Sequence, residues 1–130
     1  MKVAVIGSRN LRVKNLGQYL PENTDSIVSG GAVGVDSCAA IFAKREKIPL
    51  KEILPDYSAF GRRAPIVRND LIIAAADFVV AFWDTKSRGT EYVIAQCEKL
   101  GKPYKVYIPD PALKNSFIPM PRHTQLTFEI

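Results

Sequence analysis

Histidine occurs once in this chain, at position 123, and cysteine twice, at 38 and 97. One imidazole and two distant thiols do not make a zinc centre, which needs several close nitrogen or sulfur ligands. No metal is expected, and no other cofactor is implied. Both thiols fall in helical patterns, so they read as buried and reduced, which points to the cytoplasm. No apolar run approaches the ~20 residues of a transmembrane helix, so a membrane partner is not expected. The chain enters a strand directly, without the charged and apolar regions of a signal peptide. Internal repeats, low-complexity segments and interdomain linkers are lacking. Acidic residues are the scarcer sign: 13 Asp and Glu against 18 Lys and Arg leave a net charge of +5. The surplus suits an anionic partner such as a nucleotide or nucleic acid, although ordinary solubility charge accounts for it equally well.

What is present is a chain of 130 residues with 47% apolar residues, enough for one domain with a real core. Lys2 to Ile6 is an apolar run without alternation, as expected of a strand buried on both faces. Val13, Leu16 and Leu20 then predict a helix ended by Pro21. Ser26 to Val28 is the second strand. Val35, Cys38, Ala39, Phe42 and Ala43 mark the apolar face of the next helix. Leu50 to Leu54 is a third strand, and Pro55 to Arg63 a polar connection. Pro65 suits the first turn of a helix whose stretch from Leu71 to Ala76 is apolar all round, which predicts deep burial. Phe78 to Trp83 is the fourth strand. Val93, Cys97 and Leu100 define the helix after it, capped by Gly101, and Tyr104 to Ile108 is the fifth strand.

Alternating strands and helices predict an α/β three-layer sandwich around a five-stranded parallel sheet. In such sheets ligands bind outside the carboxyl ends of the strands. The turns after strands one, two and four all lie there. Residues 1–108 form this domain. The segment 109–130 is proline-rich, with Pro109, Pro111, Pro119 and Pro121, and reads as a tail. Leu126, Phe128 and Ile130 alternate with polar residues, which signals a strand. It either adds an edge strand to this sheet or pairs with a second subunit in a homodimer.

The central feature is Ser29-Gly30-Gly31-Ala32-Val33-Gly34-Val35-Asp36, a strand end running into glycines and then a helix. Free backbone N–H groups at such a turn, aimed by a helix N-terminus, suit a phosphate. A tight connection that binds nothing is the competing reading. Two further polar turns, Gly7-Ser8-Arg9 and Asp84 to Thr90, favour the ligand.

These pieces, with Arg68-Asn69-Asp70-Leu71-Ile72-Ile73-Ala74, with Asp77 nine residues past Arg68, and with Ser87-Arg88-Gly89-Thr90, resemble the SLOG superfamily. That superfamily groups the DprA/Smf DNA-processing proteins with the LOG phosphoribohydrolases, and a small single-domain YspA-like member is the nearest type. The resemblance covers about residues 1–108. It implies a Rossmann-like fold with strand order 3-2-1-4-5 and a nucleotide-like small molecule as partner. The match departs from the LOG enzymes at one place. They carry Pro-Gly-Gly before their Gly-Thr, and a glutamate three residues past the threonine. Here Thr85 to Arg88 replace the first part, and Val93 stands at the glutamate position.

The ligand-binding set is Gly7, Ser8, Arg9, Ser29, Gly30, Gly31, Ala32, Gly34, Asp36, Arg68, Asn69, Asp84, Ser87, Gly89 and Thr90. Arg68 reads as a phosphate or carboxylate clamp, with a salt bridge to Asp36 or Asp70 as the alternative. Asn69 either caps locally or bonds a ribose or base. Asp36 in the first turn of its helix either stabilises that N-terminus or meets a ligand hydroxyl. Arg9 and Arg88 are exposed cations that suit phosphate. Trp83 reads as core and His123 as surface. Glu91 is the carboxylate beside the third turn, so Arg68 and Glu91 are the candidate catalytic pair. The favoured function is binding of a phosphorylated nucleotide or ADP-ribose-like ligand as a sensor or carrier. The alternative is hydrolysis of the N-glycosidic bond of a nucleoside monophosphate. A weaker alternative is single-stranded DNA binding, for which Tyr57 and Phe60 near Arg62 and Arg63 offer a fragment of a stacking groove.

Overall fold

The computed structural model describes residues 1–109 and the backbone of 125–128. Strand β1 (Lys2–Gly7) lies at the centre of the sheet, between β2 (Ser26–Ser29) and β4 (Phe78–Phe82). β3 (Leu50–Glu52) pairs with β2, and β5 (Tyr104–Tyr107) with β4. These five strands are parallel in the order 3-2-1-4-5, the Rossmann-like arrangement. β6 (Gln125–Phe128) adds an antiparallel edge strand to β5 of the same chain, with Tyr104 opposite Phe128. Pro111, Pro119, Pro121, His123 and Ile130 lie outside the described residues.

Successive residues of β1 point to opposite faces, and both faces are covered. Val3 and Val5, with Val80 and Phe82 of β4, pack against α1 (Val35–Arg45) through Val35, Ala39 and Ala43. Ala4 and Ile6, with Val79 and Ala81, pack against α3 (Ala64–Ala75) and α4 (Arg88–Leu100) through Ile72, Ile73, Val93 and Cys97. The central strands are therefore continuously apolar in sequence.

Four local expectations are corrected. Between β1 and β2 there is no α-helix, only a 3-10 turn at Leu16–Tyr19. Asn15 stands before it in the left-handed region (φ 55), which interrupts a helix, while Leu11, Val13, Leu16 and Tyr19 still reach the core. Tyr19 packs edge-on against Phe82 at 5.6 Å, and Phe82 stacks on Tyr107 at 5.4 Å. The connection before α3 contains a one-turn helix α2 (Tyr57–Phe60), which Asp56 caps by accepting the Ala59 N–H at 3.1 Å. α3 is not buried all round: Ile72 and Ile73 face the sheet, whereas Leu71 is 51% exposed on the far side. Cys97 is buried as expected, but Cys38 is only half-buried. Among the described residues no helix is long and apolar enough to cross a membrane.

Candidate functional site

β1, β2 and β4 end side by side, with Gly7 of β1 opposite Phe82 of β4. Their three following turns therefore converge on one edge of the sheet. Between them, α3 and the start of α4 enclose a cleft of about 230 Å³. Gly7, Arg9, Gly30, Ala32, Asp36, Arg68, Asn69, Ser87, Gly89 and Thr90 border it. Ile6, Pro65, Ile72 and Val93 supply apolar wall. These four carry no polar signal in the sequence, so residue type does not mark them as cleft lining.

Other expected residues build the turns rather than the wall. Ser8 is buried; its N–H donates to the Phe82 carbonyl at 3.0 Å, and its hydroxyl accepts the Asp84 N–H at 3.1 Å. It stitches the first turn to the third. Asp84 Oδ1 accepts the N–H groups of Lys86 at 2.8 Å and Ser87 at 2.7 Å. Burial pushes the Asp84 carboxyl up, but these bonds outweigh it and hold it below the usual carboxylate range. Ser29 is buried and its hydroxyl accepts the Gly31 N–H at 3.4 Å. Gly34 enters α1 with φ 81, and a Cβ there would strike the Arg9 backbone. Its role is to let the first and second turns touch. Asp77 lies at the opposite edge, where it accepts the Lys2 N–H at 2.8 Å.

The third turn ends in the N-terminus of α4. Ser87 caps it, accepting the Thr90 N–H at 3.4 Å, while the Ser87 carbonyl accepts the Trp83 indole N–H at 3.0 Å. Trp83 packs against the core beneath. The first-turn N–H groups of a helix lack intrahelical acceptors and carry the positive end of its dipole. Gly89 sits in that turn without a side chain, and nothing lies within 4 Å of where one would be.

From α3, Arg68 reaches across to the second turn. Its Nη1 donates to the Gly30 carbonyl at 2.8 Å, and its Nε to Asn69 Oδ1 at 2.9 Å. It forms no ion pair with Asp36 or Asp70; the ion pairs of the described residues are the Met1 ammonium with Asp25 and Arg45 with Glu46. Asp70 is held instead by the Tyr92 hydroxyl at 2.8 Å. Asp36 is buried at the start of α1, and its Oδ2 accepts the Ala32 N–H at 3.1 Å. Its Oδ1 has no partner. Burial pushes this carboxyl above the usual range, against the Ala32 N–H, the Arg68 charge and the Gly30 N–H.

Glu91 does not border this cleft. It is exposed and lines a neighbouring hollow with Ile66, Arg88, Tyr92 and Ala95. Val93, two positions on, joins Gly89 and Thr90 of α4 in the cleft lining. Arg9 borders the main cleft and Arg88 the hollow beside it. Tyr57, Phe60, Arg62 and Arg63 are exposed on α2 and the 3-10 turn after it, outside the cleft lining. Among the described residues no group of three or more His, Cys, Asp and Glu side chains is placed to hold a metal ion. No protein-family model, curated protein or solved structure matches this chain.

Proposed function

We propose that the cleft binds a phosphorylated nucleotide-type ligand, a nucleoside phosphate or an ADP-ribose-like molecule, as a sensor or carrier that performs no chemistry on it. One observation carries this reading. The Arg68 guanidinium and the N-terminus of α4 at Gly89 and Thr90 border the same small cleft as Asp36. The first two suit an anion: a planar fork of donors and the positive end of a helix border one cleft. Asp36 is an acceptor for a neutral donor elsewhere on the ligand. A phosphorylated sugar has both kinds of group. Val93 in the wall supports binding without hydrolysis, because valine neither holds charge nor takes a proton.

Isothermal titration with AMP, ADP and ADP-ribose tests the reading. At least one is expected to bind, and Arg68→Ala is expected to weaken it by about 1.5–3 kcal/mol, the range for a hydrogen bond to a charged group. That is roughly a 10- to 150-fold rise in Kd. No binding of any of the three, or an unchanged Kd in a folded Arg68→Ala protein, would sink the proposal.

A further inference from the structure

Asp36 Oδ1 is, among the described residues, the buried side-chain polar atom with no hydrogen-bond partner. Native proteins seldom leave a buried acceptor in that state, because it gives up water and gains nothing. Holding the second turn does not account for it. The hydrogen bond that holds the turn is the Ala32 N–H to Oδ2 at 3.1 Å, and a neutral asparagine at this position accepts such a bond without burying a charge.

The surrounding groups leave Oδ1 without a donor. The Gly30 N–H and the Arg68 charge both favour the charged carboxyl, but neither makes a hydrogen bond to Oδ1; Arg68 donates Nη1 to the Gly30 carbonyl and Nε to Asn69. Glu52 at the end of β3 adds a like charge. Asp36 borders the cleft, so a ligand bound there lies beside the carboxyl that carries the unpartnered oxygen. That donor is not part of the phosphate, which a carboxylate repels. The phosphate belongs at Arg68 and Gly89, and what meets Asp36 is a neutral hydroxyl.

We infer that Asp36 reads a ribose hydroxyl, so that the cleft selects ribonucleotides over their deoxy counterparts. This rests on the proposal that the cleft holds a phosphorylated nucleotide. A site that buries a polar group for one substrate hydroxyl rejects the analogue lacking it, because the group is then left unpaired.

The test is titration of the full chain with AMP, 2′-deoxy-AMP and 3′-deoxy-AMP, repeated for the guanosine and uridine series. In a series that binds, at least one deoxy analogue is expected to bind tenfold or more weakly than the ribonucleotide. If every deoxy analogue binds with less than a tenfold loss, this inference falls while the nucleotide reading stands. If no member of any series binds, both fall together. In Asp36→Ala the preference is expected to vanish, and a preference retained there overturns the assignment to Asp36. Circular dichroism checks that this variant folds. Should it not, Asp36→Asn takes its place, since it keeps an acceptor for Ala32. The preference is then expected to drop at least threefold, and a smaller drop overturns the assignment.

Discussion

Arg68 Nη1 and the Gly30 carbonyl oxygen lie 2.8 Å apart although 38 positions separate them in the chain. The bond ties α3 to the turn after β2 and sets one wall of the cleft. It also gives Gly30 its reason. A Cβ at that position would come within 2.5 Å of Nη1 and 2.9 Å of Cζ of Arg68.

Gly30→Ala and Gly34→Ala therefore should fail differently. At Gly30 the nearest atoms belong to the end of a flexible side chain, so Arg68 swings away and one hydrogen bond is lost. The expected loss of stability is about 0.5–1.5 kcal/mol, with ligand affinity falling as in Arg68→Ala. At Gly34 the obstacle is the Arg9 backbone, and φ is 81. Neither yields, so a loss of at least about 2 kcal/mol is expected. Urea unfolding of both variants is the measurement. Equal losses, or the larger loss at Gly30, would contradict the account.

Asp36 carries a pH signature. Its carboxyl is raised by burial, so the folded protein holds that proton more tightly than the unfolded chain does. Stability then falls as pH rises from the unfolded value through the folded one, and the penalty is complete above the latter. Asparagine pays no such penalty. Relative to the native protein, Asp36→Asn is expected to gain Tm on going from pH 3.5 to pH 7. Thermal unfolding across that range decides it. A gap that stays flat or shrinks would show that the carboxylate is not destabilised where it sits.

The two thiols should separate in a reaction with Ellman's reagent at pH 8. Burial pushes the Cys97 thiol up to about 11, with Lys102 opposing, so it stays protonated and inaccessible. Cys38 is half-buried, borders a hollow with Lys14, Phe42 and Arg45, and its Sγ accepts the Val13 N–H at 3.4 Å. One thiol is expected to react in the native protein and the second only in denaturant. Cys38→Ala should remove the first phase; its removal by Cys97→Ala instead would reverse the assignment.

The sheet was legible because strands buried on both faces read as unbroken apolar runs, and three polar turns after them mark one edge. The first crossover was not. Val13 and Leu16 have helical spacing, but the left-handed Asn15 between them is a backbone choice that their spacing does not encode. The exposed side of α3 is not legible for a related reason. A helix beside α4 covers the sheet with one face only, and Leu71 is left on the other. In the site, residue types indicated an anion pole, whereas the division between wall and scaffold depended on direction. Ser8 and Asp84 turn inward to hold one another's loops, and Arg68 finds a carbonyl rather than a carboxylate.

The last prediction is that the protein has no efficient phosphoribohydrolase activity. Cleaving an N-glycosidic bond builds positive charge on the sugar, and needs a carboxylate beside it and a positioned water. Glu91 is the sequence's candidate, but α4 begins at Arg88, which places Glu91 in its first turn facing the hollow beside Tyr92 and Ala95. Val93 takes the place in the cleft wall. Asp36 does border the cleft, yet it holds the Ala32 amide and, on our reading, serves a sugar hydroxyl rather than a water. Release of free base from a panel of nucleoside monophosphates is the assay, with Glu91→Ala and Asp36→Asn as controls. Release no faster than in buffer is expected, with no difference among the three proteins. Robust turnover that disappears in Glu91→Ala would overturn the binding reading and make Arg68 and Glu91 a catalytic pair. Turnover that disappears only in Asp36→Asn would move the chemistry to the other side of the cleft, and the hydroxyl-reading role of Asp36 would have to be given up with it.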